Sequence, residues 1–585
     1  MITQTELDNC LQWAQNNGAF IDPKISFRIT EDAGVSAFVN EKFSPKPDQA
    51  LIRVPETLLI TSQQALSEFS QAANERSLLN SVTQLYLSKL KFGTDAVHLK
   101  SFYKPYLDVL PLHLPQPYFW STDEVMNLHG TDVYLTMRDT LNKLVKEWRM
   151  LFQALSIEHS SQDKQFLSLF QENKDSAVVP LEQFCAHING CKLEDSEWNS
   201  FVAYLWSYCI FNSRAFPRVI LGRAGTDRTN LNEGFLYPIV DLLNHKNDVP
   251  VRWEMNEQNE LCFMSQTTTF SAQDELFNNY GNISNEKCLL NYGFWDSSNK
   301  FDFSRLTLKL PSTLVSGLPV DFNKSGNFVT DDGETTILQF SLKISEPLPP
   351  VLLALFAYLS KLKSEETPTV RSVLEGIDQL TSVVSQRLLF YKNFKIKTSS
   401  TQKLRPHVIK LIKLYYQDNK KILNATTEKL SVLQKKIYSN NKEFSLSFKT
   451  IFKNDKIFAN SLLLVFGAIN YEDLITKDCL NDALLLWIVK LINDKSNNQG
   501  GFIKQTFKEV SDSIVIEKED VMEFLPFYKK YFPNLSERIP EIYSVGDWGI
   551  RQFIVADTAI DRLVWIRKSN KEPIFLMKKA YDLQI

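Results

Sequence analysis

The sequence contains no hydrophobic run long enough to cross a bilayer. Its longest strongly apolar stretch, Ala483 to Val489, stops at Lys490, far short of the ~20 residues a span requires, so no membrane role is expected. Charge of one sign is also missing: 65 Lys and Arg stand against 68 Asp and Glu. That balance argues against a general nucleic-acid binder, and no direct nucleic-acid role is expected, while a basic protein partner stays open. Cysteine is sparse, with seven residues at irregular positions, an odd count that fits a reducing compartment better than a disulfide framework. Cys185, His187 and Cys191 approach a metal pattern, but no second cluster completes a four-ligand site, and no metal is expected. Glycine and proline number only 19 and 23 among 585 residues, whereas 44% of residues are apolar and 40 are Phe. This excludes collagen-like and globally disordered chains. The start, Met1 to Asp8, has neither the basic opening nor the apolar core of a signal peptide, so the cytoplasm is expected, with the nucleus also open.

Familiar catalytic motifs are absent too. There is no G-x-G-x-x-G after a strand, no G-x-x-x-x-G-K-[ST], no H-E-x-x-H and no G-x-S-x-G, which removes dinucleotide, P-loop, zincin and hydrolase readings. At roughly 150 residues per domain the length corresponds to about four units, or fewer large ones. The first sixty residues read as a helix capped at Thr5, followed by short extended pieces at Ala37 to Val39 and Leu51 to Val54. From about Ser62 to Phe211 apolar residues recur at helical spacing, as in Leu141, Leu144, Val145, Trp148, Leu151, Phe152 and Leu155. β character returns from Leu236, where Val251, Trp253 and Met255 alternate, Asn256 to Asn259 supply a turn, and Leu261 and Phe263 alternate back as a hairpin. After Ser345 the chain reads as mostly helical to its end, with loops near Ser439 to Lys442 and from Asp494 to Gly501. Arg387 to Lys421 carries ten Lys and Arg against the single acid Asp418, either a docking face or a solvated helix surface.

What remains is a series of polar residues at the ends of the β segments. It runs Ser213-Arg214-Ala215-Phe216, Asp241-Leu242-Leu243-Asn244-His245, Asn279-Tyr280-Gly281, and Asn291-Tyr292-Gly293-Phe294. Taken one by one, these are ordinary turn and core residues. As an ordered set they resemble the SET-domain protein lysine methyltransferases, most specifically the Rubisco large-subunit methyltransferase subgroup and its fungal ribosomal-protein members. Glu31-Asp32-Ala33-Gly34-Val35-Ser36-Ala37 is similar to that family's first cofactor-binding turn, with Asp32 where the family has glycine. Phe102 to Pro111, followed by Pro117-Tyr118-Phe119-Trp120, is similar to the stretch that opens its helical insert.

The resemblance implies an α+β fold in which a SET-domain β core spans residues 1–300 with a helical insert at about 62–211. Connecting β segments at 301–345 and a mostly α-helical substrate-docking domain at 346–585 would follow. It implies S-adenosylmethionine as cofactor, held by Glu31, Ala33, Arg214, Asn244, His245 and Tyr280. Tyr292 and Tyr280 would be the catalytic hydroxyls, and Arg218, Asp241, Tyr280, Tyr292 and Phe294 would face the substrate lysine. The implied protein substrate is a ribosomal protein. Many other SET enzymes close the channel with a cysteine-rich zinc segment, but here no cysteine lies between Cys288 and Cys479, so the helical C-terminal half would take over docking. A rival from another class is a SET-fold interaction module without catalysis.

Overall fold

The computed structural model describes residues 2–31, 34–69, 79–94, 97–172, 178–222, 233–322, 328–398, 403–494, 500–532 and 534–583. Most of the loop expected from Asp494 to Gly501 lies outside them. The chain forms two compact units. The first comprises Met1–Phe303 with Phe394–Asp418, and the second Ser304–Asn393 with Asn419–Ile585. Two segments therefore fall elsewhere than the sequence suggested. The strands expected to connect two domains belong to the second unit, and Phe394–Asp418, expected in the C-terminal domain, belongs to the first.

The first unit opens with the helix Gln4–Asn16. Its cap is Thr3 rather than Thr5, because Glu6 stands three residues on and closes a capping box: Glu6 N–H donates to Thr3 Oγ1 at 3.2 Å and Thr3 N–H to Glu6 Oε2 at 2.7 Å. The strands Phe20–Ile21, Ile52–Pro55, Glu260–Ser265 and Val251–Met255 make one antiparallel sheet in that order. Its last two members are the anticipated hairpin, with Trp253 opposite Phe263. A second hairpin pairs Ile25–Thr30 with Gly34–Val39, and a third pair joins Ala215–Pro217 to Gly234–Leu236.

Helices run from Ser62 to Arg214 between these strands. Asp132–Leu155 buries Leu141, Leu144, Val145, Trp148, Leu151 and Phe152 along one stripe, as their spacing requires. Phe201–Arg214 is buried on nearly every side, so it is an interior helix, and its last residue is delivered to the centre of the unit. Phe394–Asp418 is tied to this insert by side chains distant in sequence. Glu124, buried in the helix Thr122–Met126, accepts hydrogen bonds from Arg405 N, Nε and Nη2 at 2.7 to 3.1 Å. Asn127 exchanges two hydrogen bonds with the Lys397 backbone, and Tyr416 Oη donates to Asn127 O at 3.0 Å.

The second unit begins with the antiparallel sheet Phe328–Asp331, Thr335–Leu342 and Ser304–Pro311. The helices Pro350–Leu359 and Val370–Lys392 cross closely, since a Cβ on Gly376 would stand 2.7 Å from the Phe356 backbone. The division between units falls within the long helix Pro406–Asn440. One element departs from the helical expectation for this region: Ser445–Ser447, Glu572–Leu576 and Val564–Arg567 form a further sheet. Glu572–Leu576 is buried at every position, so it lacks the alternation that marks a strand. Among the described residues no helix is long and apolar enough to cross a membrane.

Burial alone would raise the Glu124 carboxyl, but the hydrogen bonds from Arg405 outweigh it and hold the group below the usual carboxylate range. Removing this acceptor strands a charged partner, and Glu124→Ala is expected to cost about 2 kcal/mol in chemical denaturation of the first unit. A loss below about 0.5 kcal/mol would contradict the clasp.

Candidate active site

The interior helix Phe201–Arg214 ends at Arg214, and the strand Gly234–Leu236 leads into the short turn Val240–Leu242, which carries Asp241. Ile239, immediately before it, sits at φ +73, a conformation a β-branched residue adopts only where its surroundings dictate it. The Asp241 side chain is 0% exposed. Its Oδ2 accepts from Tyr106 Oη at 2.6 Å, while Arg214 Nη1 donates to the Asp241 carbonyl at 2.8 Å and approaches Oδ2 at 3.5 Å. Burial pushes the Asp241 carboxyl above its ordinary range, against the pull of Arg214 and Tyr106. Its Oδ1 is buried with no partner among the described residues.

Asn244 and His245 follow. Asn244 Nδ2 lies 2.8 Å from Ser36 Oγ and 2.7 Å from Glu275 Oε1, which ties the turn to the strand Gly34–Val39. His245 Nδ1 accepts from Tyr280 N–H at 2.9 Å, so the ring's proton is on Nε2, which donates to Asn247 Oδ1 at 3.0 Å. Burial lowers the imidazole pKa and keeps it neutral. Its ring stacks on Tyr280 at 4.9 Å, and Tyr280 stacks on Tyr292 at 4.7 Å.

The two phenols differ in their partners. Tyr280 Oη donates to Leu243 O at 2.8 Å, and burial pushes its pKa up to about 12. Tyr292 is also pushed up by burial, yet its hydroxyl has no hydrogen-bond partner among the described residues. It ends a π-helical turn, Cys288–Tyr292, a form concentrated at functional sites. Gly293 then takes φ +76, where a Cβ would lie 2.6 Å from the Pro115 ring.

Two cavities meet at these rings. One, of about 590 Å³, is lined by Gly34, Val35, Gln116, Asn244, His245 and Phe294 among others. The other, of about 450 Å³, is lined by Phe216, Pro217, Val251, Trp253 and Asn279 among others. Ser213, Arg214, Asp241, Tyr280 and Tyr292 line both.

Of the residues singled out from sequence, Arg214, Asp241, Asn244, His245, Tyr280 and Tyr292 come together here. Phe294, expected on the substrate side, lines only the larger cavity with Asn244 and His245, because the left-handed turn at Gly293 redirects the chain between Tyr292 and Phe294. Arg218 lines neither: it is half exposed and paired with Glu233, which also binds Ser62. Glu31 is exposed in the turn after Ile25–Thr30, and Ala33 lies outside the described residues. Sequence reasoning gave no role to Tyr106, Gln116 or Trp253. Tyr106 lay within a quoted motif, and Trp253 read as one member of an alternating strand.

A family model described as the EFM1 middle domain matches residues 303–441. Ribosomal lysine N-methyltransferase 1 of Saccharomyces cerevisiae is 29% identical over 83% of this chain and 86% of its own length. Ribosomal lysine N-methyltransferase set10 of Schizosaccharomyces pombe is 26% identical over 52% of this chain and 48% of its own. Among solved structures, the SET domain of LSMT bound to MeLysine and AdoHcy superposes with a TM-score of 0.51 at 16% identity, over 74% of this chain and 94% of that one. The chain has the fold of a SET domain and is similar to lysine N-methyltransferases. In this SET domain the motif residues are gathered at one place, the shared wall of two cavities.

The wall depends on the turn at Gly293. Gly293→Ala meets both a left-handed φ and the Pro115 ring, so the variant is expected to lose about 2 kcal/mol of stability. Its titration with S-adenosylhomocysteine should show weakened binding, because Phe294 moves with the turn. Affinity and thermal midpoint equal to the parent's would contradict this.

Proposed function

We propose that this SET-domain enzyme is a protein-lysine N-methyltransferase that uses S-adenosylmethionine and modifies a lysine of a ribosomal protein in the cytoplasm. The observation that carries the reading is the pair of cavities sharing Arg214, Asp241, Tyr280 and Tyr292. Methyl transfer to an amine is an in-line displacement, so donor and acceptor must reach the reacting centre from different sides and in register. The ribosomal substrate is supported by the yeast relative, which covers most of both chains and is a ribosomal lysine methyltransferase by name. We assign substrate docking to the second unit, whose helices follow the site in sequence.

The larger cavity fits the cofactor chemically. Gly34, at φ +69 with open space where a side chain would stand, exposes its backbone there. Arg214 supplies a cation for an amino-acid carboxylate, and Asn244 and His245 supply backbone and side-chain polar groups. S-adenosylmethionine, when bound, supplies a methyl group on a positively charged sulfur. The rest falls to the chain's own residues. Tyr280 spends its hydroxyl on Leu243 O and acts as a fixed wall. Tyr292 keeps its hydroxyl available to orient the lysine amine. A lysine near pKa 10.4 is protonated at pH 7, and presenting it neutral costs about 4–5 kcal/mol. Burial against the aromatic wall lowers that cost by disfavouring the charged form.

Methyl transfer is tested with radiolabelled S-adenosylmethionine and ribosomal proteins from cells lacking the enzyme, with labelled bands identified by mass spectrometry. The wild type is expected to label a ribosomal protein on lysine. Tyr292→Phe, which removes one hydroxyl, is expected to lose at least about tenfold in turnover while binding S-adenosylhomocysteine normally. Turnover within twofold of the parent would overturn the role of Tyr292. Wild-type protein that binds no S-adenosylhomocysteine would favour the non-catalytic module instead.

The pH profile offers a separate check. With Tyr280 near 12 and Tyr292 also raised, neither phenol ionises between pH 7 and 9. Under subsaturating substrate kcat/KM should therefore rise by about tenfold per pH unit until the lysine titrates. A plateau near pH 7 that Tyr280→Phe abolishes would show that a phenolate is the base.

A further inference from the structure

Tyr292 stands at the end of a π-helical turn and is followed by a glycine in the left-handed region. Such a junction has little stiffness of its own, because glycine accepts many backbone conformations. The segment must be fixed from outside if its hydroxyl is to hold one position. On the near side, Gln116, 2% exposed, donates from Nε2 to Asn291 O at 2.8 Å. Beyond the glycine two side chains diverge. Asp296 takes Asn247 Nδ2 at 3.2 Å and exchanges hydrogen bonds with Asn285, so it joins the site's own network through Asn247 and His245. Trp295 turns away from that network: its Nε1–H donates to Asp418 Oδ2 at 2.7 Å, and its ring packs edge-on against Tyr415 at 5.8 Å.

Asp418 lies more than a hundred residues downstream, at the end of the excursion Phe394–Asp418 that belongs to the first unit. The excursion is itself held on the insert by Arg405 on Glu124, the Lys397 backbone on Asn127, and Tyr416 on Asn127 and Phe394. An aspartate anchored in this way is a rigid acceptor for the indole.

We infer that Asp418 is a positioning residue for Tyr292: by accepting the Trp295 indole N–H it fixes the far end of the Tyr292-Gly293-Phe294-Trp295 segment, so the excursion helps hold the catalytic hydroxyl. The inference rests on the methyltransferase reading for its consequence in turnover. It also carries a consequence that needs no substrate, the rigidity of the segment.

The test uses full-length Asp418→Ala, Asp418→Asn and Trp295→Phe. Asparagine keeps a carbonyl acceptor for the indole and alanine does not. Asp418→Ala and Trp295→Phe are expected to lower kcat by about tenfold, with KM for the protein substrate within twofold of the parent. Asp418→Asn should restore most of the rate. The double variant Asp418→Ala/Trp295→Phe should be no slower than either single one, because both remove the same bond. In hydrogen exchange, backbone amides of residues 289–296 should lose protection in Asp418→Ala and keep it in Asp418→Asn. The inference is overturned if kcat and exchange are unchanged in Asp418→Ala, or if Asp418→Asn is as impaired as alanine. Wild-type protein without methyl transfer would overturn the proposed function, and the exchange result would still decide whether Asp418 holds the segment.

Discussion

The centre of the first unit depends on one contrast between two stacked phenols. Tyr280 and Tyr292 lie 4.7 Å apart, yet the first gives its hydroxyl to Leu243 and the second keeps its own free of any described partner. The proposed in-line transfer would need a wall that does not move and one polar group that can serve the incoming amine. A pair with both hydroxyls committed could not orient the amine. With both uncommitted, the wall would lose one of its anchors. The fold resolves this with the neutral His245 ring, which accepts the Tyr280 backbone N–H and stacks on its face, so Tyr280 is held at backbone, ring and hydroxyl together.

The same centre buries charge at a cost the protein offsets locally. Asp241 has a fully buried side chain, and Tyr106 and Arg214 answer one of its oxygens while the other has no described partner. An unanswered carboxylate oxygen is expensive in a closed interior. Burial accordingly raises the carboxyl's pKa, towards the neutral form. Arg214 carries a second constraint: as the last residue of a helix buried nearly all round, it cannot withdraw to solvent and must face the cavities.

Six of the residues that line the larger cavity were legible because they belong to short, ordered motifs: Arg214, Asp241, Asn244, His245, Tyr280 and Tyr292. Phe294 lines only the larger cavity, and its direction is set by the left-handed turn at Gly293, which residue identity does not report. Arg218 shares the right neighbourhood in sequence, but Glu233 holds it outside the cavities. The hairpin Val251–Met255 and Glu260–Ser265 was visible through alternation, whereas Glu572–Leu576, buried on both faces, carried none. The return of Phe394–Asp418 to the first unit could not be read at all. The Glu124–Arg405 pair that fastens it joins residues 281 positions apart, and neither side chain is unusual in its own surroundings.

The central claim is spatial: cofactor in the larger cavity, lysine in the smaller, meeting at the tyrosines. The most direct measurement is a crystal structure of the full chain grown with S-adenosylhomocysteine. The account predicts the ligand in the cavity lined by Gly34, Asn244 and His245, with its sulfur at the Tyr280 and Tyr292 rings and its carboxylate on Arg214. Density for the ligand in the cavity lined by Val251 and Trp253, or bound away from the tyrosine pair, would contradict it.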